Sequence, residues 1–196
     1  MIDEAEVAVK VSSEEREKNH LHVMGLFGVI LSKSSPRLVY SLMEKGDLHR
    51  LLRENKGKYT QKQLLCFMHQ TLLGLEFIHN IPVVHGDLAT RNLLIDGNDC
   101  LKISDFGKSK KCYNAYAKDR LEREDQPWRW LPVELYSGGH LTIRCDIWAF
   151  GVTCWEMFTA GKLPYAESVS FEKYVANNFR LAKPIDCDTA IYLISK

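Results

Sequence analysis

Leu64, Phe67, Met68, Thr71, Leu72, Leu75 and Ile78 recur at helical spacing, which predicts an amphipathic helix over Thr60–His79 with these residues in the core. Thr60 with Gln63 forms a capping-box start, and Pro82 stops the helix. Thr142–Thr159 reads differently. Ile147, Trp148, Phe150, Val152, Trp155, Met157 and Phe158 circle it, the mark of a helix buried on most faces, closed by Gly161 and Pro164. Shorter surface helices are expected at Asp47–Asn55 and Ser168–Asn178. Strand-like runs occupy Glu6–Val11, Leu26–Ser32 and Arg37–Leu42, so residues 1–42 read as a small β-rich unit. Asn92–Ile95 and Cys100–Ile103 flank Asp96-Gly97-Asn98-Asp99, a strong turn signal, and read as a hairpin.

A chain of 196 residues suits one domain or two closely joined lobes. Its 45% hydrophobic and 26% charged content is that of an ordinary globular protein. The net charge of +1 gives no support to nucleic acid as a partner. Six cysteines occur without C-x-x-C or other metal-ligand spacing, so reduced thiols are expected. No N-x-S/T acceptor is present, the N-terminus lacks the apolar region of a signal peptide, and no run reaches membrane-spanning length. An intracellular setting is expected.

The densest chemistry lies between Val83 and Lys110, VVHGDLATRNLLIDGNDCLKISDFGKSK. Asp87 stands five residues before Asn92, with Arg91 between them, and Asp105-Phe106-Gly107 follows the two apolar runs. Asp87 can orient a hydroxyl nucleophile. Asn92 and Asp105 offer the hard oxygen ligands that Mg²⁺ prefers when it holds a nucleotide's phosphates. The hairpin would carry those two into one neighbourhood. In this order and spacing the residues resemble the catalytic loop and metal-binding loop of eukaryotic protein kinases. Leu88-Ala89-Thr90-Arg91-Asn92 is similar to the wording of the tyrosine-specific branch.

The resemblance implies an α+β, two-lobe protein-kinase-like fold, with a truncated β-rich N-lobe over 1–42 and a mainly helical C-lobe over 43–196. Together these would form an incomplete kinase domain across 1–196. It also implies Mg²⁺/ATP-dependent transfer of the γ-phosphate to protein tyrosine. Asp87 would position the hydroxyl, Arg91 would order that loop, and Asn92 and Asp105 would hold Mg²⁺. Lys10, ending Val7-Ala8-Val9-Lys10, would grip the α- and β-phosphates; alone, V-A-V-K is an ordinary edge strand with a surface lysine. Tyr40 to Gly46 resembles the hinge between lobes. Backbone groups near Met43 would meet adenine there, Leu94 would lie under it, and Tyr40 would limit access behind it; alone, this stretch is a strand, a glycine turn and a surface helix. His85 is expected to be a packed structural histidine against Phe106, and Asp146 a brace for the catalytic loop's backbone. Pro127-Trp128-Arg129-Trp130-Leu131-Pro132-Val133-Glu134 resembles a docking segment shaped for a tyrosine ring.

The chain also departs from the resembled pattern. None of the nine residues before Lys10 is glycine, so the phosphate-covering glycine loop is missing from them. Only nine residues separate Lys10 from His20, room for about two helical turns. Ser12 with Glu15 could cap such a stub, and Glu14, Glu15 or Glu17 could partner the lysine. Lys108 stands where an apolar residue normally packs, and Glu134 lacks its usual arginine partner, so either another cation serves or its site is open. Gly86 replaces an arginine suited to holding an activation-loop phosphate. Phosphate on Tyr113 or Tyr116 is therefore expected not to switch the protein in the usual way. Activity compared with and without that phosphate tests this, and a large stimulation would contradict it. These departures leave two rivals to an enzyme: a pseudokinase-like, non-catalytic binding module, and an incomplete kinase fragment.

Overall fold

The computed structural model describes residues 7–10, 20–31, 36–111, 127–165, 167–177, 180–185 and 187–189, the first four by backbone alone. The stub helix expected near Ser12, its glutamates, and Tyr113 and Tyr116 lie outside the described residues.

Three antiparallel strands open the chain: β1 (Val7–Lys10), β2 (Leu26–Leu31) and β3 (Arg37–Tyr40), in that spatial order. Lys10 stands opposite Gly28 and Tyr40 opposite Leu26. Next come β4 (Gly46–Asp47) and α1 (Leu48–Glu54), which starts where the Asp47 carboxylate accepts the Arg50 N–H at 2.8 Å. α2 (Gln61–Asn80) opens on a capping box in which Thr60 and Gln63 satisfy each other's backbone N–H. Its buried face is Leu64, Phe67, Met68, Thr71, Leu75 and Ile78. Leu72, expected in the core, is 40% exposed. It follows Thr71 by 100° of helix rotation and so falls off the edge of that face.

β5 (Val83–Val84) leads to the hairpin of β6 (Leu93–Ile95) and β7 (Leu101–Ile103), and β8 (Lys110–Lys111) returns to pair with β5. β4, β6 and β7 make a second antiparallel sheet. The hairpin turn is closed by Asp96, whose Oδ1 accepts the N–H groups of Asn98 and Cys100, both at 2.8 Å. Leu93, Ile95, Leu101 and Ile103 are wholly buried in the core, which leaves Leu94 and Lys102 on the other face of the hairpin. Residues 20–24 strap onto β7: Met24 N–H donates to Ile103 O at 2.8 Å, and Ile103 N–H to His22 O at 3.0 Å. Gly74 of α2 permits this approach, since a Cβ there would lie 2.6 Å from His22 O.

α3 (Ile143–Phe158) and α4 (Phe171–Asn177) complete the described elements. The inner side of α3 is buried, with Ala149, Phe150, Cys154 and Met157 in the same core as α2 and the hairpin. Its outer side is not: Ile143 is 41% and Ile147 53% exposed among the described residues. The all-round apolar pattern overstated how much of this helix is covered. The five described cysteines are free thiols, and burial pushes those of Cys145 and Cys154 up, keeping them neutral and unreactive.

Candidate active site

Asp146 holds the loop that follows β5. Wholly buried near the start of α3, its carboxylate accepts the His85 N–H at 2.7 Å, the Gly86 N–H at 2.9 Å and His79 Nε2–H at 3.0 Å. A buried carboxylate needs such donors, and this one has three. Gly86 sits at φ +75°, a left-handed conformation that glycine adopts without strain. His85 is wholly buried. Its Nε2–H donates to Ser104 O at 2.9 Å and its Nδ1 accepts the Asp87 N–H at 3.2 Å, a neutral ring with both nitrogens engaged. The ring meets Phe106 edge-on at 5.0 Å. Both arrangements match the scaffolding expected of His85 and Asp146.

Asp87 follows this frame and is itself buried, at 7% exposure. Arg91 donates to its Oδ1, and Lys108 Nζ lies 3.7 Å from its Oδ2. The Arg91 guanidinium rests on the Trp130 ring, 4.5 Å from its centre. Asn92 closes the loop, its Nδ2 donating to Asp87 O at 2.7 Å. That bond commits the nitrogen and leaves Oδ1 as the atom able to meet a cation. Asn92 O accepts both the N–H and the hydroxyl of Ser104, each at 2.9 Å, so the residue preceding Asp105 is tied to Asn92. Asp105 is exposed and sits at φ 59°, ψ 73°, its Oδ1 accepting the Gly107 N–H at 3.2 Å. A non-glycine residue in this region stores about 1–3 kcal/mol, a feature that clusters at functional sites. The hairpin therefore does bring Asp87, Asn92 and the Asp105 loop together.

Two oxygen donors, the Asn92 amide and the Asp105 carboxylate, fit Mg²⁺, which keeps several water or phosphate ligands around one or two protein groups. Among the described residues no cluster of three or more His, Cys, Asp or Glu side chains could hold a metal on its own. The expected nucleotide contacts are placed less completely. Met43 is buried and its carbonyl accepts the Gly46 N–H at 3.0 Å. β4 then pairs with β6 so that Asp47 faces Leu94. Tyr40 ends β3 at 46% exposure. The Lys10 backbone lies in β1, but its side chain lies outside the described part of the structure.

Glu156 is a member of the site that the sequence pattern did not single out. At 2% exposure on α3, it accepts Trp130 Nε1–H at 2.9 Å, the Thr90 N–H at 3.0 Å and the Thr90 hydroxyl at 2.9 Å. It thereby joins the docking-like segment to the catalytic-like loop. Its signal was available: a second carboxylate ten residues after Asp146 on a mostly apolar helix. Trp128 packs against Tyr165, Phe171 and Tyr174, and Arg129 lies over Trp128 at 4.2 Å while donating to Pro164 O at 2.8 Å. Glu134 is exposed, the open form of the two foreseen for it.

The chain matches the family model "Protein tyrosine and serine/threonine kinase" over residues 3–196. It is 31% identical over 180 residues to Ephrin type-A receptor 1 of Homo sapiens, covering 91% of this chain and 18% of that protein. It is 32% identical over 193 residues to Tyrosine-protein kinase TXK of Homo sapiens, 97% of this chain and 35% of that protein. Against Tyrosine-protein kinase Mer of Mus musculus the identity is 36% over 191 residues, 90% of this chain and 19% of the relative. This chain belongs to the protein tyrosine and serine/threonine kinase family and is tyrosine-kinase-like, with the family's α+β fold: a strand-rich first part and a helical remainder. It spans between 18% and 35% of the length of these curated relatives. No described helix is long and apolar enough to cross a membrane.

Proposed function

We propose that this chain transfers the γ-phosphoryl group of ATP to the hydroxyl of a protein tyrosine, inside the cell. In this reading residues 1–42 act as a partial N-lobe and 43–196 as the C-lobe of one kinase domain. Asp87 orients the tyrosine hydroxyl and takes up its proton, with Arg91 holding the carboxylate in place. Asn92 and Asp105 hold Mg²⁺, which when bound neutralises charge on the phosphates. Lys10 meets the α- and β-phosphates, backbone near Met43 meets adenine, Leu94 supports the base, and Tyr40 bounds the space behind it. The Trp128–Trp130 segment presents the tyrosine ring to Asp87.

The observation that carries this reading is the pair of bonds from Ser104 to Asn92 O, which fixes the Asp105 loop beside the loop that carries Asp87. Phosphoryl transfer depends on such positioning more than on covalent chemistry by the protein. Incubation with γ-labelled ATP, Mg²⁺ and a synthetic Glu/Tyr copolymer tests it. Label recovered as phosphotyrosine is the expected result; no label, with the protein folded, favours the binding module.

A further inference from the structure

Among the described residues Asp87 faces two cations. Arg91 holds Oδ1 from within the same loop, while Lys108 approaches Oδ2 to 3.7 Å from the turn after Asp105-Phe106-Gly107. That approach is built into the backbone: a Cβ on Gly86 would lie 3.1 Å from Lys108 O, so the two turns are packed together immediately before Asp87. At 3.7 Å the ammonium is ion-paired with Asp87, and its side chain is 38% exposed. An ammonium has three N–H donors, so it can face the carboxylate and a second anionic oxygen together. Lys108 is thus three residues past Asp105 in the chain, with its ammonium beside Asp87.

We propose that Lys108 is a catalytic residue whose ammonium contacts the transferring phosphoryl group and stabilises the charge on its equatorial oxygens. The inference rests on the phosphoryl-transfer reading and deepens it. In the step, the bond between the γ-phosphorus and the β–γ bridging oxygen breaks, its electron pair leaving with ADP. A new P–O bond forms to the tyrosine oxygen, whose proton passes to Asp87. Lys108 keeps all three of its protons and acts by charge alone. A fixed cation aimed at developing charge stabilises the transition state more than the ground state, so its effect belongs in kcat rather than in nucleotide affinity.

The test compares the wild type with Lys108→Gln and Lys108→Arg by calorimetric titration with Mg·ADP, without and with aluminium fluoride, a mimic of the phosphoryl group in flight. Lys108→Gln is expected to bind Mg·ADP within about twofold of the wild type and to lose roughly tenfold or more of the affinity that the fluoride adds. Its kcat falls on the order of 10²-fold at unchanged KM for ATP. Lys108→Arg keeps most of the fluoride-dependent gain. An equal gain in wild type and Lys108→Gln, or equal losses in the two variants, overturns the role of the charge while leaving phosphoryl transfer standing. Failure of the wild type to bind Mg·ADP at all overturns the transfer reading, and this inference with it.

Discussion

Replacing Asp146 with alanine is expected to cost about 3–5 kcal/mol of stability, the range for leaving buried partners of a charged group unsatisfied. The variant strands three donors at once: the N–H groups of His85 and Gly86, which are buried, and Nε2–H of His79, whose side chain is 13% exposed. In a chain of this size 1 kcal/mol moves the melting midpoint by roughly 2–4 °C, so a fall of about 10 °C is anticipated by circular dichroism. Asp146→Asn should recover part of the loss, since its one carbonyl oxygen can accept from one of the two backbone donors while its NH₂ opposes the other. Because the first two donors belong to the residues just before Asp87, hydrogen exchange at 85 and 86 should quicken before that of α3 does. A change smaller than about 1 kcal/mol would mean that the loop is held by something other than this carboxylate.

Asp87→Asn is expected to slow transfer by about 10²–10⁴-fold while sparing fold and nucleotide binding. The amide is nearly isosteric, and its oxygen can still accept from Arg91. The bond from Asn92 Nδ2 goes to the backbone carbonyl of residue 87 and is not touched. What disappears is the anion that orients a hydroxyl and receives its proton, a contribution of about 10²–10⁴ in rate. Labelled-ATP turnover should fall by that factor, with Mg·ADP affinity within a few-fold of the wild type because Asn92 and Asp105 are intact. Undiminished turnover would remove Asp87 from the chemistry.

How far the fold could be read from the sequence depended on whether its cause was local. The 92–103 hairpin was legible because Asp96-Gly97-Asn98-Asp99 carries its own turn chemistry, and the α2 start because Thr60 and Gln63 cap each other three residues apart. The brace from Asp146 and the seat of His85 were foreseen through resemblance, not periodicity. What escaped was set by distant partners. Glu156 reads as one of a few polar residues on a mostly apolar helix, and its meaning comes from Thr90, 66 residues away, and Trp130, 26 away. Lys108 is unusual in the sequence, but its approach to Asp87 is visible only once the fold packs its turn against Gly86. Exposure failed for a related reason. Leu72, Ile143 and Ile147 are as apolar as their buried neighbours, and only the number of elements packed around each helix decides which apolar residues are covered.

A thermal shift with ATP tests most directly the proposal that the oxygens of Asn92 and Asp105 seat a magnesium–phosphate group beside Asp87. At 100 times Kd a ligand adds about 2.7 kcal/mol, so the wild type should melt several degrees higher with ATP and Mg²⁺ together. ATP without Mg²⁺ should give a smaller shift, and Asp105→Ala should lose the Mg²⁺-dependent part. A shift indifferent to Mg²⁺, or one that survives intact in Asp105→Ala, would contradict the proposed site.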